Sequence, residues 1–346
     1  MFKDKIRKNS SLMGKEKKPV VGIIGIGMVG KEVLRYFTES GWKKGKDLLC
    51  FDSDGKKGFS DKVEEAHIIF ICVPTPRARD NSCDTSIVEA VVKKYHSPDR
   101  VLVVKSTVEP GTVARLQKKY RSPILFNPEF LTESRAWEDF IKPDRQVVGH
   151  TGKSMQHAGT VLSLLPKAFF SSPGVLGTYD FVRINSSEAE MGKYGGNVFG
   201  AMKVSYANIL ADFSKALGTV QKKEGIRDGV RYNNVRRMVA HDARIGDAWM
   251  DVERGSYRGF AGYCLPKDLD AFIGFGGKLL KRLNGKKDGN LILLLESGIN
   301  FLKAIRKYNN RLLEAQGLDV RAISIHDKEV AKLMGGKNGK KKSTRG

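Results

Sequence analysis

Proline and cysteine are scarce in this chain, with 11 and four among 346 residues. The four cysteines, Cys50, Cys72, Cys83 and Cys264, form no CxxC pair, so neither a zinc site nor any other metal centre is expected. No run of 18 apolar residues occurs, so no membrane-spanning helix and no membrane partner are expected. The Met1 end is basic and polar, without the apolar stretch of a secretory signal. A cytoplasmic location with reduced thiols is the expectation. Not one proline falls from Gly174 to Leu265, which leaves that stretch open to long helices.

Acidic residues are also in short supply. There are 61 Lys and Arg against 38 Asp and Glu, a net charge of +23. Residues 1–18 and 327–346 each carry seven basic residues against two acidic ones. These ends read as tails, the last of them Gly/Lys-rich. A solvated polyelectrolyte outweighs a nucleic-acid contact as their reading. The basic excess elsewhere would suit a polyanionic small substrate. The length allows about two domains.

What is present begins with alternation. Val20–Gly25 is a short β-branched run that enters Gly25-Ile26-Gly27-Met28-Val29-Gly30 and then the helix-like KEVLRYFTES. Strand, GxGxxG and helix in that order form a dinucleotide fingerprint. Gly25 permits the turn, Gly27 admits a pyrophosphate to backbone N–H groups, and Gly30 lets helix and strand pack. The next strand, Asp47–Phe51, ends at Asp52, an acid placed to accept from ribose hydroxyls and so to favour NAD over NADP. Further strands are predicted at Ala66–Val73, Arg100–Val104, Ile124–Phe126 and Gln146–Gly149, with helices at Thr85–Tyr95 and Thr112–Tyr120. The pattern predicts an α/β, Rossmann-like, doubly wound parallel sheet. Ligands lie beyond the carboxyl ends of such strands, where Pro74-Thr75-Pro76, Lys105-Ser106-Thr107 and Asn127–Phe130 fall.

The second half reads as an all-helical domain. Asn185 and Glu188 form a predicted capping box. The stripe Met191, Tyr194, Val198, Met202, Ile209, Phe213, Ala216 then predicts a helix of about 30 residues, with Gly218 as its C-cap. Lys193 and Asn197 share one face of it. Gly192, Gly195 and Gly196 are costly there unless a ligand or backbone comes close. The boundaries read from this pass are a tail over 1–18, a sheet domain over 19–184, a helical domain over 185–316 and a tail over 317–346.

Eight stretches in order then carry a resemblance: GIGMVG at 25–30, CVPTP at 72–76, KSTVEPGT at 105–112, NPEFLTES at 127–134, PDRQVVG at 143–149, EAEMGKYGGNVFGAMK at 188–203, DARIG at 242–246 and GFAGYCLPKD at 259–268. The chain resembles the UDP-glucose/GDP-mannose dehydrogenases, which oxidise C6 of a nucleotide sugar to a carboxylate with NAD. The resemblance implies a helical central domain like the C-terminal domain of 6-phosphogluconate dehydrogenase.

It also implies roles. Cys264 would be the nucleophile that traps the intermediate aldehyde and becomes a thioester. Lys193 and Asn197 would stabilise oxyanions at C6. Asp268 would orient a water, with Thr107 and Glu133 near it. Gly25, Gly27, Met28, Val29, Gly30, Asp52, Pro74, Thr75 and Thr107 would hold NAD. Glu129, Phe130, Leu131, Glu133, Lys193, Asn197, Arg244, Gly259 and Lys267 would hold the sugar nucleotide, Arg244 reaching a neighbouring subunit in a homodimer built on the long helix. The simpler alternatives are a plain helix cap for Asp268 and a surface charge for Arg244.

The sequence departs from the family at Ala261, Tyr263 and Leu265 and around Gly255–Arg258, which bears on the choice of sugar. No second glycine-rich strand–turn–helix follows Gly317, so the third domain of such enzymes is expected to be absent or supplied by a separate chain. Two other readings stay open: an NAD-binding regulatory or partner subunit without turnover, and a hydroxy-acid dehydrogenase using only Lys193 and Asn197.

Overall fold

The computed structural model describes residues 18–78, 80–174, 183–253 and 257–320. They fall into two compact units, one running to Pro76 and resuming over Asp84–Lys193, the other made of Arg77–Cys83 and the residues from Tyr194 onward. The tails expected at 1–18 and 317–346 lie almost wholly outside the described residues, as do Gly255 and Ser256 of the departing loop. No described helix is long and apolar enough to cross a membrane.

The first unit runs β1 (Val21–Ile24), α1 (Met28–Glu39), β2 (Leu48–Phe51), β3 (Ile68–Ile71), α2 (Ser86–Tyr95), β4 (Val101–Val104), α3 (Thr112–Lys119), β5 (Ile124–Phe126), α4 (Ala136–Ile141), β6 (Arg145–Val147), α5 (Met155–Ser163) and β7 (Phe170–Ser172). Strands β1 to β5 form one parallel sheet in the order β2-β1-β3-β4-β5. Every residue of β1, β3 and β4 is buried, as strands covered on both faces require. Phe37, Phe70 and Leu125 anchor the core on one face; Val92, Leu116 and Phe126 anchor the other. The doubly wound sheet read from the sequence is therefore what forms.

One predicted strand behaves differently. Gln146–Gly149 was expected in the parallel sheet, but β6 pairs with β7 in a separate two-stranded ladder. Gly149 touches the main sheet only as an isolated antiparallel bridge to Phe126. A Cβ on Gly149 would stand 2.7 Å from that of Ala189 and 3.0 Å from the Asn185 carbonyl, so backbone crowding sets its place.

From β1 the chain goes outward to β2, then returns across to β3. The reversal opens a crevice beyond the carboxyl ends of β1 and β3, the switch point where open α/β sheets bind ligands.

The described helices that follow are α6 (Ser186–Lys223), α7 (Tyr232–Ala240), α8 (Cys264–Leu280) and α9 (Gly289–Glu314). The first two turns of α6 belong to the first unit. Its start is the predicted capping box: Asn185 Oδ1 accepts from the Glu188 N–H at 3.0 Å, and Glu188 Oε2 accepts from the Asn185 N–H at 2.7 Å. Its end is not as predicted. Gly218 lies inside the helix, where a Cβ would stand 3.3 Å from the Val230 nitrogen, and α6 runs 38 residues. The residue with left-handed backbone beyond its end is Gly225, at φ +81°. Helix α8 packs on α9, burying Phe260, Leu269 and Val198 with Leu302 and Ile305 at the margin.

Candidate functional site

The glycine loop follows β1 directly. Gly25 has φ +90°, and a Cβ there would stand 2.8 Å from the Cys72 carbonyl oxygen. A Cβ on Gly30 would fall 1.9 Å from the Gly25 carbonyl oxygen, which no side chain could accommodate. A Cβ on Gly27 would meet nothing within 4 Å. The first and third glycines are thus required by the protein's own backbone, and the second leaves room for a ligand. Met28 and Val29 begin α1, whose N-terminal N–H groups suit a pyrophosphate.

Asp52 lies just beyond β2. Its carboxylate accepts from the Ile26 N–H at 2.6 Å and the Asp54 N–H at 2.9 Å, and pairs with Lys57 at 2.9 Å. Burial works against its charge, but those partners hold it below the usual carboxylate range. At the end of β3, Thr75 is buried and Pro74 exposed. An open second glycine, a helix N-terminus and an acid at the end of β2 fit a dinucleotide.

Beyond β4 and β5 lies a buried charged group. Glu129 and Lys193 pair at 3.0 Å, with side chains 9% and 5% exposed. Burial opposes the charge on Glu129, but Lys193, the Leu131 N–H at 2.8 Å and Lys105 together hold its carboxyl below the ordinary range. The Phe130 ring lies 5.4 Å from Lys193 Nζ and 3.9 Å from the Arg145 guanidinium. Lys105, absent from the site residues read off the sequence, is also buried. Its Nζ donates to Asn127 Oδ1 at 2.7 Å, and burial pulls its pKa down. Sequence reading marked the loop but not the lysine, because an apolar strand ending in Lys ordinarily ends at solvent. Thr107 and Glu133 are half-buried in the loops after β4 and before α4.

Glu190 was missed as well. It is fully buried on α6, and accepts from the N–H groups of Gly111 at 2.5 Å and Val113 at 2.8 Å, capping α3.

In the second unit Cys264 is the first residue of α8 and is half-buried. A helix N-terminus favours thiolate over thiol. One turn on, Asp268 is 1% exposed. It accepts from Asn197 Nδ2 at 2.5 Å and from Lys267 Nζ at 2.5 Å. Asp268 therefore does not cap a helix; it sits inside one, held by Asn197 and Lys267. Burial opposes the charge on Lys267, but Asp268 outweighs it and the lysine stays above its ordinary pKa. Burial pushes the thiols of Cys50 and Cys72 up to about 12.

Residues 55–164 match the NAD-binding domain of the UDP-glucose/GDP-mannose dehydrogenase family, and residues 187–281 match its central domain. The chain belongs to this family. A UDP-glucose 6-dehydrogenase of Pseudomonas aeruginosa is 31% identical over 269 residues, covering 72% of this chain and 53% of that protein. The Haloferax volcanii UDP-glucose 6-dehydrogenase AglM is 29% identical over 322 residues, covering 78% and 69%. The solved UDP-glucose dehydrogenase of Pyrobaculum islandicum superposes with a TM-score of 0.65 at 27% identity, covering 88% of this chain and 73% of that one. This chain spans about half the length of the Pseudomonas relative.

Arg244 points to solvent, its side chain 90% exposed, held at 2.6 Å by Asp242. Gly259 has φ +96°, and a Cβ there would stand 2.7 Å from Asn309 Oδ1. Asn309 in turn exchanges two 2.8 Å hydrogen bonds with the Phe260 backbone. Gly259 thus has a structural duty that its sequence neighbourhood did not reveal. The helix glycines divide. A Cβ on Gly200 would stand 3.2 Å from the Trp249 ring, whereas a Cβ on Gly192 or Gly195 would meet nothing within 4 Å. The first is explained by packing within the chain; the other two leave the α6 surface low and open.

Proposed function

We propose that this chain oxidises the C6 alcohol of a nucleotide sugar, UDP-glucose first among them, to the carboxylate. The observation that carries the reading is the group on α8: Cys264 at the helix start, and one turn later a buried Asp268 held by Asn197 and Lys267. Such a carboxylate is costly to bury and is paired on two sides. The names of the relatives support UDP-glucose as the sugar nucleotide.

Bound NAD supplies the hydride acceptor for each of two oxidations. Gly27 and the α1 N-terminus receive its pyrophosphate, and Asp52 its ribose. Lys193, paired with Glu129 at 3.0 Å, stabilises the oxyanion that forms at C6 when the alcohol loses its proton. Asn197 donates to the same oxygen. The Cys264 thiolate adds to the aldehyde carbon, forming a thiohemiacetal; loss of the second hydride leaves a thioester. Asp268 orients a water that attacks the thioester carbonyl, breaking the C–S bond and returning the thiol. On the family resemblance we assign Thr107 and Glu133 to that water, and Phe130, Leu131 and Lys267 to the sugar.

The test is NADH release with UDP-glucose, UDP-N-acetyl sugars and GDP-mannose, paired with an assay for the uronate. Two NADH per acid are expected. Cys264→Ser should stop acid formation; undiminished acid from that variant, or no NADH with any sugar nucleotide, would sink the reading.

We also propose a homodimer through α6. Phe199, Tyr206, Phe213, Leu217 and Val220 are 49–71% exposed at steps of seven, seven, four and three, one apolar stripe along a single helix.

A further inference from the structure

The end of the α8–α9 hairpin has a surface that the proposed reaction does not use. Helix α8 finishes and the turn continues with Lys281, Arg282, Lys286 and Lys287, all exposed. Three leucines follow in the opening turns of α9: Leu291, Leu293 and Leu294, 54%, 63% and 72% exposed. Further along, α9 is amphipathic in the ordinary way. Ile299, Leu302 and Ile305 face inward, Ile299 lying against Gly276 of α8. At 100° per residue, Leu293 and Leu294 stand on the side away from Ile299. An exposed face of leucine beside a cluster of lysine is expensive in water unless something covers it. The acids nearest in sequence do not cancel the charge. Asp288 is engaged by the Asn284 N–H at 2.8 Å, and Glu296 is a single carboxylate. Apart from Lys281, the stretch lies beyond the end of the match to the central domain at residue 281.

We propose that this helical hairpin end docks on an anionic lipid bilayer, the four basic residues meeting lipid headgroups and the leucines entering the interface. Charge complementarity selects the partner. Lysine and arginine clusters are drawn to acidic leaflets, and adjacent apolar side chains deepen the attachment. Nucleic acid would satisfy the cations and leave the leucines in water. A second copy of this chain would bring like charges together.

The test is flotation of the full-length protein with phosphatidylcholine vesicles, with and without phosphatidylserine. Binding is expected only where phosphatidylserine is present, and it should weaken as salt rises. Lys286→Glu with Lys287→Glu, and separately Leu293→Ser with Leu294→Ser, should each lower the apparent partition coefficient by about tenfold or more. All four positions are exposed, so folding should be retained, and NAD binding serves as the check. Binding unchanged in both variants would assign any attachment to the chain ends and overturn the proposal. So would loss of DNA binding in the lysine variant without any vesicle binding, or a shift from dimer to monomer in the leucine variant without any vesicle binding.

Discussion

Single residues set the terms of the first unit. Gly30 tolerates no side chain, since its Cβ would lie 1.9 Å from a carbonyl oxygen of the turn before it. Gly30→Ala must open that turn, at a cost of about 1–3 kcal/mol by the usual scale of overpacking. Thermal unfolding should show the loss, and NAD affinity measured by calorimetry should fall with it. Glu190 sets a pH dependence. Burial pushes its carboxyl up to about 8, although the N–H groups of Val113, Gly111 and Thr112 and the charge of Arg115 oppose this. Its ordinary value is 4.5. Between those values the folded chain keeps a proton that the unfolded chain releases. Its contribution is therefore fully present below 4.5 and is lost as pH climbs to about 8. The change is on the order of a few kcal/mol. Denaturation at pH 5 and at pH 8 should show the folded state weaker at the higher pH, and Glu190→Gln should flatten that difference. Neither Glu190 nor Lys105 was legible beforehand, because burial of a charged side chain is decided by what packs around it.

At the scale of elements, local signals served well where the cause was local. The Asn185 and Glu188 pair could be read three residues apart, and both hydrogen bonds form. Asn185→Ala should cost about 1 kcal/mol, measurable as a shift of the denaturation midpoint without a change of slope. The end of the same helix was misread, since glycine is a C-cap only where the backbone turns left-handed, and Gly218 is instead held in the helix against Val230. The stripe read along it was partly misleading too. Tyr194 and Val198 are buried, but Phe213 is 71% exposed. Periodicity reports which residues share a face, not whether that face meets the chain's own core. Phe213→Glu tests the α6 stripe: sedimentation should move from dimer to monomer, while an unaltered dimer would place the interface elsewhere.

On the scale of the whole molecule, the chain divides into a sheet unit and a helical unit, and the candidate site residues divide with it. The dinucleotide loop, Asp52 and the Glu129–Lys193 pair belong to the first; Cys264, Asn197, Lys267 and Asp268 belong to the second. The strong basic excess, +23 over the chain, suits an anionic substrate and also supplies the lysines at the hairpin end.

The sequence by itself determined the order of strands and helices, the glycine turn and the family, because these depend on neighbours within a few residues and on motifs in register. Tertiary structure alone decided that Asp268 is buried between Asn197 and Lys267 rather than capping a helix. It decided, too, that Gly259 yields to Asn309 and that Glu190 seals the start of α3. Those outcomes join residues 49 to 79 positions apart, and no local periodicity encodes which distant side chain will fill a given space.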